Sequence, residues 1–323
     1  MTVQEKEAGT INNQVATRTV PKSAFAKLGK QYQLVLMSVP AVLLLILFSY
    51  VPLWGWIMAF EHYTPAKGVM GSRFAGWDNF RMLFRDPLFY QALRNTLAMS
   101  LLSLAAGFVG AIALALLLNE VRSRLFKRVV QTITYIPHFV SWVVIANIIL
   151  LGLSPDGGIV NELLLKLGLI DEPIYFMAKG NWFWIIHTMA GLWKELGWST
   201  IIYLAVLSGV NPELYEAAEV DGAGRFGKML HISIPGLMPT AMMLMILNVG
   251  WILSAGYESQ FLLGSNLVID YSQVLDLYAM NYAFSIGDYS LGVAISVFKS
   301  VVSIILVVAV NFLARRLGQS KVF

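Results

Sequence analysis

Charged side chains inside long apolar stretches are the residues of this chain with the most chemistry to offer. Lys194, Glu195 and Lys299 each lie within such a stretch. A charge in a hydrocarbon interior is costly, so it is retained where it pairs with another polar group or lines a path for a polar solute. For both lysines the sequence leaves these alternatives open. Adjacent helical residues point about 100° apart, so Lys194 and Glu195 are not expected to pair with each other.

The polar segment 211–235 has the residue types of two short helices joined by a glycine turn. Asn211 can accept hydrogen bonds from the first free N–H groups, and Pro212 suits the first helical position. Gly222 and Gly224 can adopt the positive φ that ends a helix. The pattern therefore predicts a first helix of about 11 residues that ends at these glycines.

A second short helical stretch over 225–232 is expected to follow and to run to Pro235 and into the apolar run after it. On the first helix, spacings of three and four place four side chains on one face, and two alanines keep that face shallow: Leu214, Ala217, Ala218 and Asp221. A shallow face can approach another protein closely. A short amphipathic helix that lies on the membrane surface is the alternative interpretation.

The composition determines which elements must position these residues. The 323 residues are 57% hydrophobic and 13% charged, with a mean hydropathy of +0.67, so a soluble enzyme is excluded. Cysteine is absent, which excludes disulfides, thiolate metal sites and cysteine nucleophiles. The net charge of +4 is too small to favour nucleic acid as a partner.

Six apolar runs are long enough to cross a bilayer, which takes about 20 residues. Two of them, 181–209 and 290–313, are interrupted by charges, and four are not: those between Lys30 and Glu61, Arg94 and Glu120, Arg128 and Asp156, and Lys228 and Glu258. Fourteen Lys and Arg residues fall on the predicted cytoplasmic side against seven on the other, so both termini are predicted to be cytoplasmic. We therefore predict an all-α polytopic membrane protein with a cytoplasmic tail over 1–33, a six-helix domain over 34–318 and a cytoplasmic tail over 319–323.

The residue spacing in 211–235 is more specific than its helical character. Glu216-Ala-Ala, three residues, Gly222, nine residues and Ile232-x-Ile234-Pro235 resembles the EAA loop of permease subunits in binding-protein-dependent ABC importers, which usually have Leu where this chain has Ile234. Five further motifs look like those of carbohydrate-type permeases: Gly76-Trp-Asp-Asn-Phe80, Asp86-Pro-Leu-Phe89, Ala92-Leu-Arg-Asn-Thr96, Tyr135-Ile-Pro-His138 and Asp221-Gly-Ala-Gly224. The branch it resembles most imports oligosaccharides or polysaccharide fragments and includes an alginate importer's permease.

The resemblance implies a type I importer permease fold in the bacterial cytoplasmic (inner) membrane. It also implies four kinds of partner besides membrane lipid: a second homologous permease, two ATPase subunits that hold ATP and Mg²⁺, an extracytoplasmic solute-binding protein and a carbohydrate substrate. The chain has no phosphate-binding loop, so it is not expected to hold ATP itself. The resemblance implies a transport subunit with no enzymatic activity, cofactor or metal of its own. By analogy, its first short helix couples to an ATPase, and the coupling residues are Glu216, Ala217, Ala218, Asp221, Gly222, Ile232 and Pro235.

A substrate pathway for sugar needs hydrogen-bonding groups and aromatic faces, and the fifth apolar run offers both. Asn248, Trp251 and Ala255 share one helical stripe, a pattern that is also typical of packing. If the cargo is acidic, lysines should offset its carboxylates, and if it is neutral, aromatic side chains should dominate. The pathway candidates are Lys194, Asn248, Trp251, Tyr257, Glu258 and Lys299.

Three other classes of protein compete with this interpretation. An ion-coupled secondary transporter of a small solute should show ionisable pairs in its spans, inverted repeats and helices broken by Gly or Pro. The sequence has only Lys194, Glu195 and Lys299 as charges within the spans, and it has no repeat. A membrane enzyme would use His138, His187 and Asp156, but their spacing resembles no metal or nucleophile arrangement. A simple membrane anchor needs no polar groups in its spans, whereas this chain has Asn248, Lys299 and Asn311.

Overall fold

The computed structural model describes residues 32–254 and 256–316, and the chain divides into two units, residues 1–54 and 55–323. Helix α1 covers Tyr32–Leu45 and continues through a π-helical turn, Ile46–Tyr50, into the 3-10 helix Val51–Phe60, most of which belongs to the second unit. The predicted tails over 1–33 and 319–323 lie outside the described residues, apart from positions 32 and 33.

The second unit is built from helices and one short hairpin. In the hairpin, β1 (Glu61–His62) pairs antiparallel with β2 (Arg73–Phe74). The helices that follow α1 are, in chain order, α2 (Gly68–Gly71), α3 (Asp78–Leu83), α4 (Pro87–Glu120), α5 (Arg124–Tyr135), α6 (Trp142–Gly152), α7 (Ile159–Lys166), α8 (Gly180–Ser208), α9 (Pro212–Val220), α10 (Arg225–Lys228), α11 (Ile234–Gly250), α12 (Glu258–Leu263), α13 (Ile269–Ser272), α14 (Leu275–Met280) and α15 (Tyr289–Arg316).

Within the described residues, four helical stretches are long and apolar enough to cross a membrane: Val35–Phe60, Pro87–Glu120, Arg225–Gly250 and Tyr289–Arg316. A fifth span results if α5 and α6 together count as one. Helix α8 is 29 residues long but carries Lys194 and Glu195 near its middle, and it is not among these candidates. The mostly helical membrane architecture is therefore confirmed, and the count of six spans stays a prediction.

The third predicted span is broken near its middle. Helix α5 ends in a 3-10 turn, Ile136–Phe139, and the pair formed by this stretch and α6 is bent by 101°. Pro137 in the turn has no N–H to donate, and Val140 after it is extended. The Ser141 side chain then accepts a hydrogen bond from the Val144 amide and begins α6. The run was predicted as one span from its hydropathy, which does not register the helix-breaking effect of Pro137.

Helices α4 and α8 pack along each other through small and aromatic residues. Ala111 and Ala115 of α4 are fully buried beside Tyr203 and Leu207 of α8, in a cluster that also includes α11. The small alanine side chains allow the two helices to approach closely, and the Tyr203 ring packs against them. Helices α4, α8 and α11 are therefore held together by this buried cluster.

Buried polar residues hold the loops at the end of the bundle that the sequence assigns to the outside. The Asn95 side-chain amide donates to the carbonyl oxygens of Asp270 and Gln273 at 3.0 and 2.9 Å. The Asp86 carboxylate begins α4 and accepts hydrogen bonds from the hydroxyls of Tyr278 and Tyr282. The loops before α15 are thus tied to the start of α4 by specific hydrogen bonds.

The segment 211–235 largely follows its prediction. The Asn211 side chain accepts from the Glu213 amide, α9 begins at Pro212, and Gly222 has φ +81°. One expectation is wrong: Gly224 has φ −72°, because it begins α10 and does not end α9. A π-helical turn, Met229–Ser233, joins α10 to α11 without a break, so the second short helix runs into the apolar run that follows it, as predicted.

Candidate functional site

A cavity of about 780 Å³ lies between α4, α8 and α11 and extends to the start of α12. Its wall combines aromatic rings with side chains that can hydrogen bond. The rings belong to Trp142, Trp198, Tyr203, Trp251 and Tyr257, and the polar groups to Ser100, Ser103, His187, Glu195, Ser199, Asn248, Ser254, Glu258 and Ser259. A cavity of this size and lining suits a polar organic solute.

Four of the six predicted pathway residues line this cavity: Asn248, Trp251, Tyr257 and Glu258. Trp251 directly follows α11 and Tyr257 directly precedes α12, so the break between these helices positions both rings. Trp251 is 71% exposed and Tyr257 is 49% exposed, which leaves both rings available to a ligand. Ala255, the third member of the predicted stripe, lies outside the described residues.

Lys194 does not line the cavity. Its ammonium donates to the carbonyl oxygens of His138 and Val140, at 2.6 and 2.8 Å, where the third span is broken. The residue is 8% exposed, so these contacts replace water. Nζ also lies 3.8 Å from Oε1 of Glu195, so the expectation that the two neighbours would not pair is wrong. Of the two predicted alternatives for Lys194, the geometry shows pairing.

Lys299 is paired in the same way. Its ammonium contacts Oδ1 of Asp276 in α14, and the two side chains are 12% and 25% exposed. The sequence offered no sign of this partner, because Asp276 lies in a loop outside the apolar runs and becomes a neighbour only when α14 packs on α15. Within the part of the chain that the structure describes, the charged side chains of the cavity wall are therefore Glu195 and Glu258, both carboxylates.

Glu195 belongs both to the cavity wall and to the helix break. Its Oε2 accepts a hydrogen bond from Nδ1 of His138 at 2.8 Å. The His138 ring stacks on Trp198, with 4.4 Å between ring centroids and 2° between planes. Glu195 and Trp198 are one turn apart on α8, so one face of this helix holds His138 and lines the cavity.

A buried hydrogen-bond chain joins α8 to α12 beside the cavity. The Ser259 hydroxyl donates to Gln260 at 3.0 Å and lies 2.9 Å from Nε2 of His187. Since the Ser259 proton is used, His187 donates through Nε2, and its Nδ1 has no partner among the described residues. Of the residues named for an enzyme, His138 contacts Glu195 and His187 contacts Ser259. No cluster of three metal-ligating side chains occurs in residues 32–254 and 256–316.

The predicted coupling residues lie on and after α9, with much apolar surface beside them. Glu216, Ala217, Asp221, Gly222 and Pro235 are exposed, and Ala218 and Ile232 are half-buried. Leu214, Val220 and Phe226 are 52%, 89% and 82% exposed. Exposed apolar side chains of this kind, rimmed by carboxylates, are typical of a surface that contacts another protein.

The sequence pattern of the family described as "Binding-protein-dependent transport system inner membrane component" matches residues 88–319, well over half of the chain. The chain belongs to this family. The match begins at the start of α4 and extends past the end of α15, so it includes every helix around the cavity and the whole segment 211–235. The family resemblance read from that segment is therefore confirmed.

The relatives of this permease include proteins named for polysaccharide transport. It is 40% identical to the polygalacturonan/rhamnogalacturonan transport system permease protein YteP of Bacillus subtilis (strain 168), over 100% of both chains. It is 39% identical to protein LplB of the same organism, over 93% of this chain and 94% of that one. A chain of the bacterial alginate ABC transporter, solved with an alginate pentasaccharide-bound periplasmic protein, matches with a TM-score of 0.84 and 34% identity, covering 93% and 99% of the two chains. The type I permease fold is thereby confirmed.

Sequence reasoning missed the hydroxyl groups that this permease presents from α4. Ser100, Ser103 and Gly107 line the cavity at helical spacings of three and four. That spacing of small residues was visible in the sequence. These residues are uncharged and lie within a long apolar run, so nothing in the sequence distinguished them from residues of a packed helix face. Ser199 of α8 was missed for the same reason.

Proposed function

We propose that this permease is one half of an ATP-driven importer that moves an oligosaccharide or polysaccharide fragment across the bacterial inner membrane. The observation that carries the proposal is the cavity between α4, α8 and α11, where exposed rings of Trp251 and Tyr257 lie beside hydroxyl, amide and carboxylate groups. Aromatic rings can pack against the C–H groups on the face of a sugar ring, and hydrogen-bonding side chains can bind its hydroxyl groups. The polysaccharide names of the relatives support the same class of cargo.

In this proposal, the cavity of this subunit recognises the hydroxyl groups and ring faces of the sugar. Both charged groups of its cavity wall, Glu195 and Glu258, are carboxylates, which accept hydrogen bonds from hydroxyls and repel uronate groups. Lys194 and Lys299, which the sequence offered for an acidic cargo, are engaged by carbonyls and by Asp276. Cations that offset an acidic cargo would therefore have to come from the second permease.

Coupling to the motor is proposed to run through α9 and the turn after it. Glu216, Ala217 and Ala218 would contact a cleft of the ATPase, with Asp221, Gly222, Ile232 and Pro235 fixing the angle to α11. ATP and Mg²⁺ would be held by the two ATPase subunits, and an extracytoplasmic binding protein would deliver the cargo. Closure of the ATPases can shift the permease between its inward-facing and outward-facing states only if these two states differ in their contacts with the ATPases. The exposed Val220 and Phe226 supply apolar area for such contacts.

Six spans with both termini in the cytoplasm complete the proposal. The fourth span would be α8, whose 29 residues give a length of about 43 Å, enough to cross the hydrocarbon. Lys194 and Glu195 interrupt its hydropathy, but both have partners inside the bundle. Paired charges that face the interior are tolerated in spanning helices.

A broken span is expected of an ion-coupled secondary transporter, but the contacts at this break weigh against that alternative. In such transporters, free carbonyls at a broken helix coordinate the coupling cation. Here the carbonyl oxygens of His138 and Val140 accept from the Lys194 ammonium, at distances that exclude another cation between them. The chain thus fills that position with its own charge.

Copurification followed by reconstitution tests the proposal. The tagged chain is purified in mild detergent from its own host, and the proteins that accompany it are identified. A second permease and a nucleotide-hydrolysing subunit are expected, and vesicles that contain the whole complex should import oligosaccharide only with ATP. A chain that purifies alone and takes up solute down an ion gradient would overturn the proposal.

A further inference from the structure

The start of α5 carries four cations for which the described residues provide no acidic partner. Arg122, Arg124, Lys127 and Arg128 occur within seven positions, and the three arginines are exposed. Each of the ion pairs formed within 32–254 and 256–316 involves other residues. Four unpaired cations this close together repel one another and favour an anionic ligand.

The opposite side of the same helix is apolar and faces away from the bundle. Leu125, Phe126, Val129 and Ile133 are 73%, 58%, 45% and 63% exposed. The side of α5 that packs on α8 carries its half-buried residues, Lys127, Val130 and Thr134, and Gly197 of α8 comes close to the Thr134 carbonyl. The exposed arginines and the apolar side chains therefore lie away from that side.

Along the axis of α5, the cationic residues precede the apolar ones in the same order as the headgroup and hydrocarbon layers of a bilayer leaflet. The cations are confined to the first half of α5 and the two residues before it, about 9 Å along the axis, while the apolar side continues to Ile133 and Ile136. A headgroup layer is about 5–7 Å thick and lies over the hydrocarbon. The helix is thus cationic at headgroup depth and apolar just below it.

We propose that the start of α5 is a binding site for an anionic phospholipid, with the phosphate held by Arg122, Arg124 and Arg128 and an acyl chain lying along Leu125, Val129 and Ile133. Charge complementarity selects the anionic headgroup, since guanidinium groups bind phosphate oxygens in a bidentate manner. The apolar surface selects a lipid over free phosphate. This site is separate from the cavity and does not depend on the cargo.

The test measures lipid retained by the full chain together with its copurifying subunits. The complex is exchanged into mixed micelles that contain equal amounts of phosphatidylglycerol and phosphatidylcholine with the same acyl chains, and bound lipid is quantified by mass spectrometry. The wild type should retain several-fold more phosphatidylglycerol than phosphatidylcholine, and excess inorganic phosphate should not displace it. Displacement by phosphate would show a site for the free anion and overturn the lipid assignment.

Paired variants locate the site. In R124Q/R128Q the excess of phosphatidylglycerol should fall at least threefold, while R124K/R128K should keep most of it. The matched control is R73Q/R85Q, which removes the same charge from two exposed arginines of the segment between the first and second spans and should retain lipid as the wild type does. If R124Q/R128Q keeps its phosphatidylglycerol and instead loses a copurifying protein, these cations face a protein and the proposal is wrong.

Discussion

At the scale of single residues, each lysine inside the bundle compensates a specific group of the protein. Lys194 supplies donors to carbonyls that lost their helical partners at the break, and Lys299 neutralises Asp276. In a hydrocarbon environment an unsatisfied carbonyl or an unpaired carboxylate is costly, so such lysines stabilise the fold more than a surface lysine would. Their removal should therefore affect stability before it affects cargo selection.

Lys194→Met tests this role directly. Two buried carbonyl oxygens lose their donor, each at a cost of about 1–3 kcal/mol, so the thermal midpoint of the purified complex should fall by several degrees. The midpoint is measured by heating aliquots and following the surviving gel-filtration peak. Lys166→Met is the matched control, because its contact with Glu162 is a 3.7 Å pair between exposed side chains and contributes little. Equal midpoints for both variants would contradict the role assigned to Lys194.

Asp86 gives a prediction that depends on pH. Burial alone would raise the pKa of Asp86, but hydrogen bonds from Tyr278, the Leu88 amide and Tyr282 lower it below its ordinary value. A carboxylate whose pKa is lower in the folded state stabilises the fold above its unfolded pKa of about 3.9, and this contribution is lost as pH falls through the folded pKa. Stability should therefore decline in acid partly through this residue.

Asp86→Asn should lower the stability at pH 7 by about 1 kcal/mol, because two tyrosine hydroxyls lose a charged acceptor that is only partly buried. The difference between variant and wild type should shrink as pH falls from about 3.9, where the carboxyl of the unfolded chain becomes protonated, toward the lowered pKa of Asp86 in the folded state. Thermal midpoints measured from pH 7 to pH 3 check both statements. Asp78→Asn, at an exposed pair with Arg81, should show no such convergence.

At the scale of elements, glycines decide how closely two helices approach and where one ends. A Cβ at Gly197 of α8 would lie 2.1 Å from the Thr134 carbonyl oxygen at the end of α5. Gly222 adopts φ +81°, in a region that side chains of other residues rarely occupy. One glycine thus holds the broken span against α8, and the other fixes the turn after α9.

Gly197→Ala should force α5 away from α8 and destabilise the bundle by about 1–3 kcal/mol. The neighbouring variant Gly191→Ala, on the same helix, adds the same methyl group where nothing lies within 4 Å, so it should be neutral. Thermal midpoints of the two purified variants are compared. A neutral Gly197→Ala would mean that the two helices separate at no cost and that the close contact is unimportant.

Gly222→Ser tests whether the angle of the proposed coupling helix matters. A side chain in this backbone region costs about 1–2 kcal/mol, so the turn should relax and the amount of copurifying ATPase should fall, while the level of the chain in membranes stays unchanged. Gly224→Ser is the control, because Gly224 has φ −72° and begins a helix, where serine is favoured. Neither position has atoms within 4 Å of a Cβ, so conformation alone distinguishes the variants. Equal ATPase recovery would count against a rigid turn.

Local rules were enough to predict some elements, and contacts between distant residues determined the others. The cap at Asn211, the proline after it and the turn at Gly222 each depend on the residue itself and its immediate neighbours, so the sequence predicted them. The bend after Pro137 depends on Lys194 and Glu195 of another helix, which satisfy the groups that the bend exposes. The partner of Lys299 likewise exists only once α14 packs on α15. Apolar periodicity carries no information about such tertiary contacts.

At the scale of the whole molecule, the crossing of the bilayer by α8 decides the topology. If α8 crosses, the segment before it and the segment 211–235 lie on opposite sides and the coupling helix faces the cytoplasm, and with α5 and α6 as one span the spans number six. If it does not, 211–235 and the loops before α8 lie on the same side, and an ATPase could not reach α9. The side on which α9 lies therefore decides both the topology and the proposed coupling.

Labelling of single introduced cysteines determines the side on which α9 lies. The chain contains no cysteine of its own, so no other residue of the chain reacts. Asp171→Cys precedes α8 and Glu213→Cys follows it, and both positions are exposed. In intact spheroplasts a membrane-impermeant maleimide should label the first and leave the second unlabelled, and permeabilisation should then expose the second. The positive-inside distribution predicts this order, because basic residues near the ends of spans are retained in the cytoplasm. If Glu213→Cys reacts in intact spheroplasts, α9 lies outside and coupling through it is impossible.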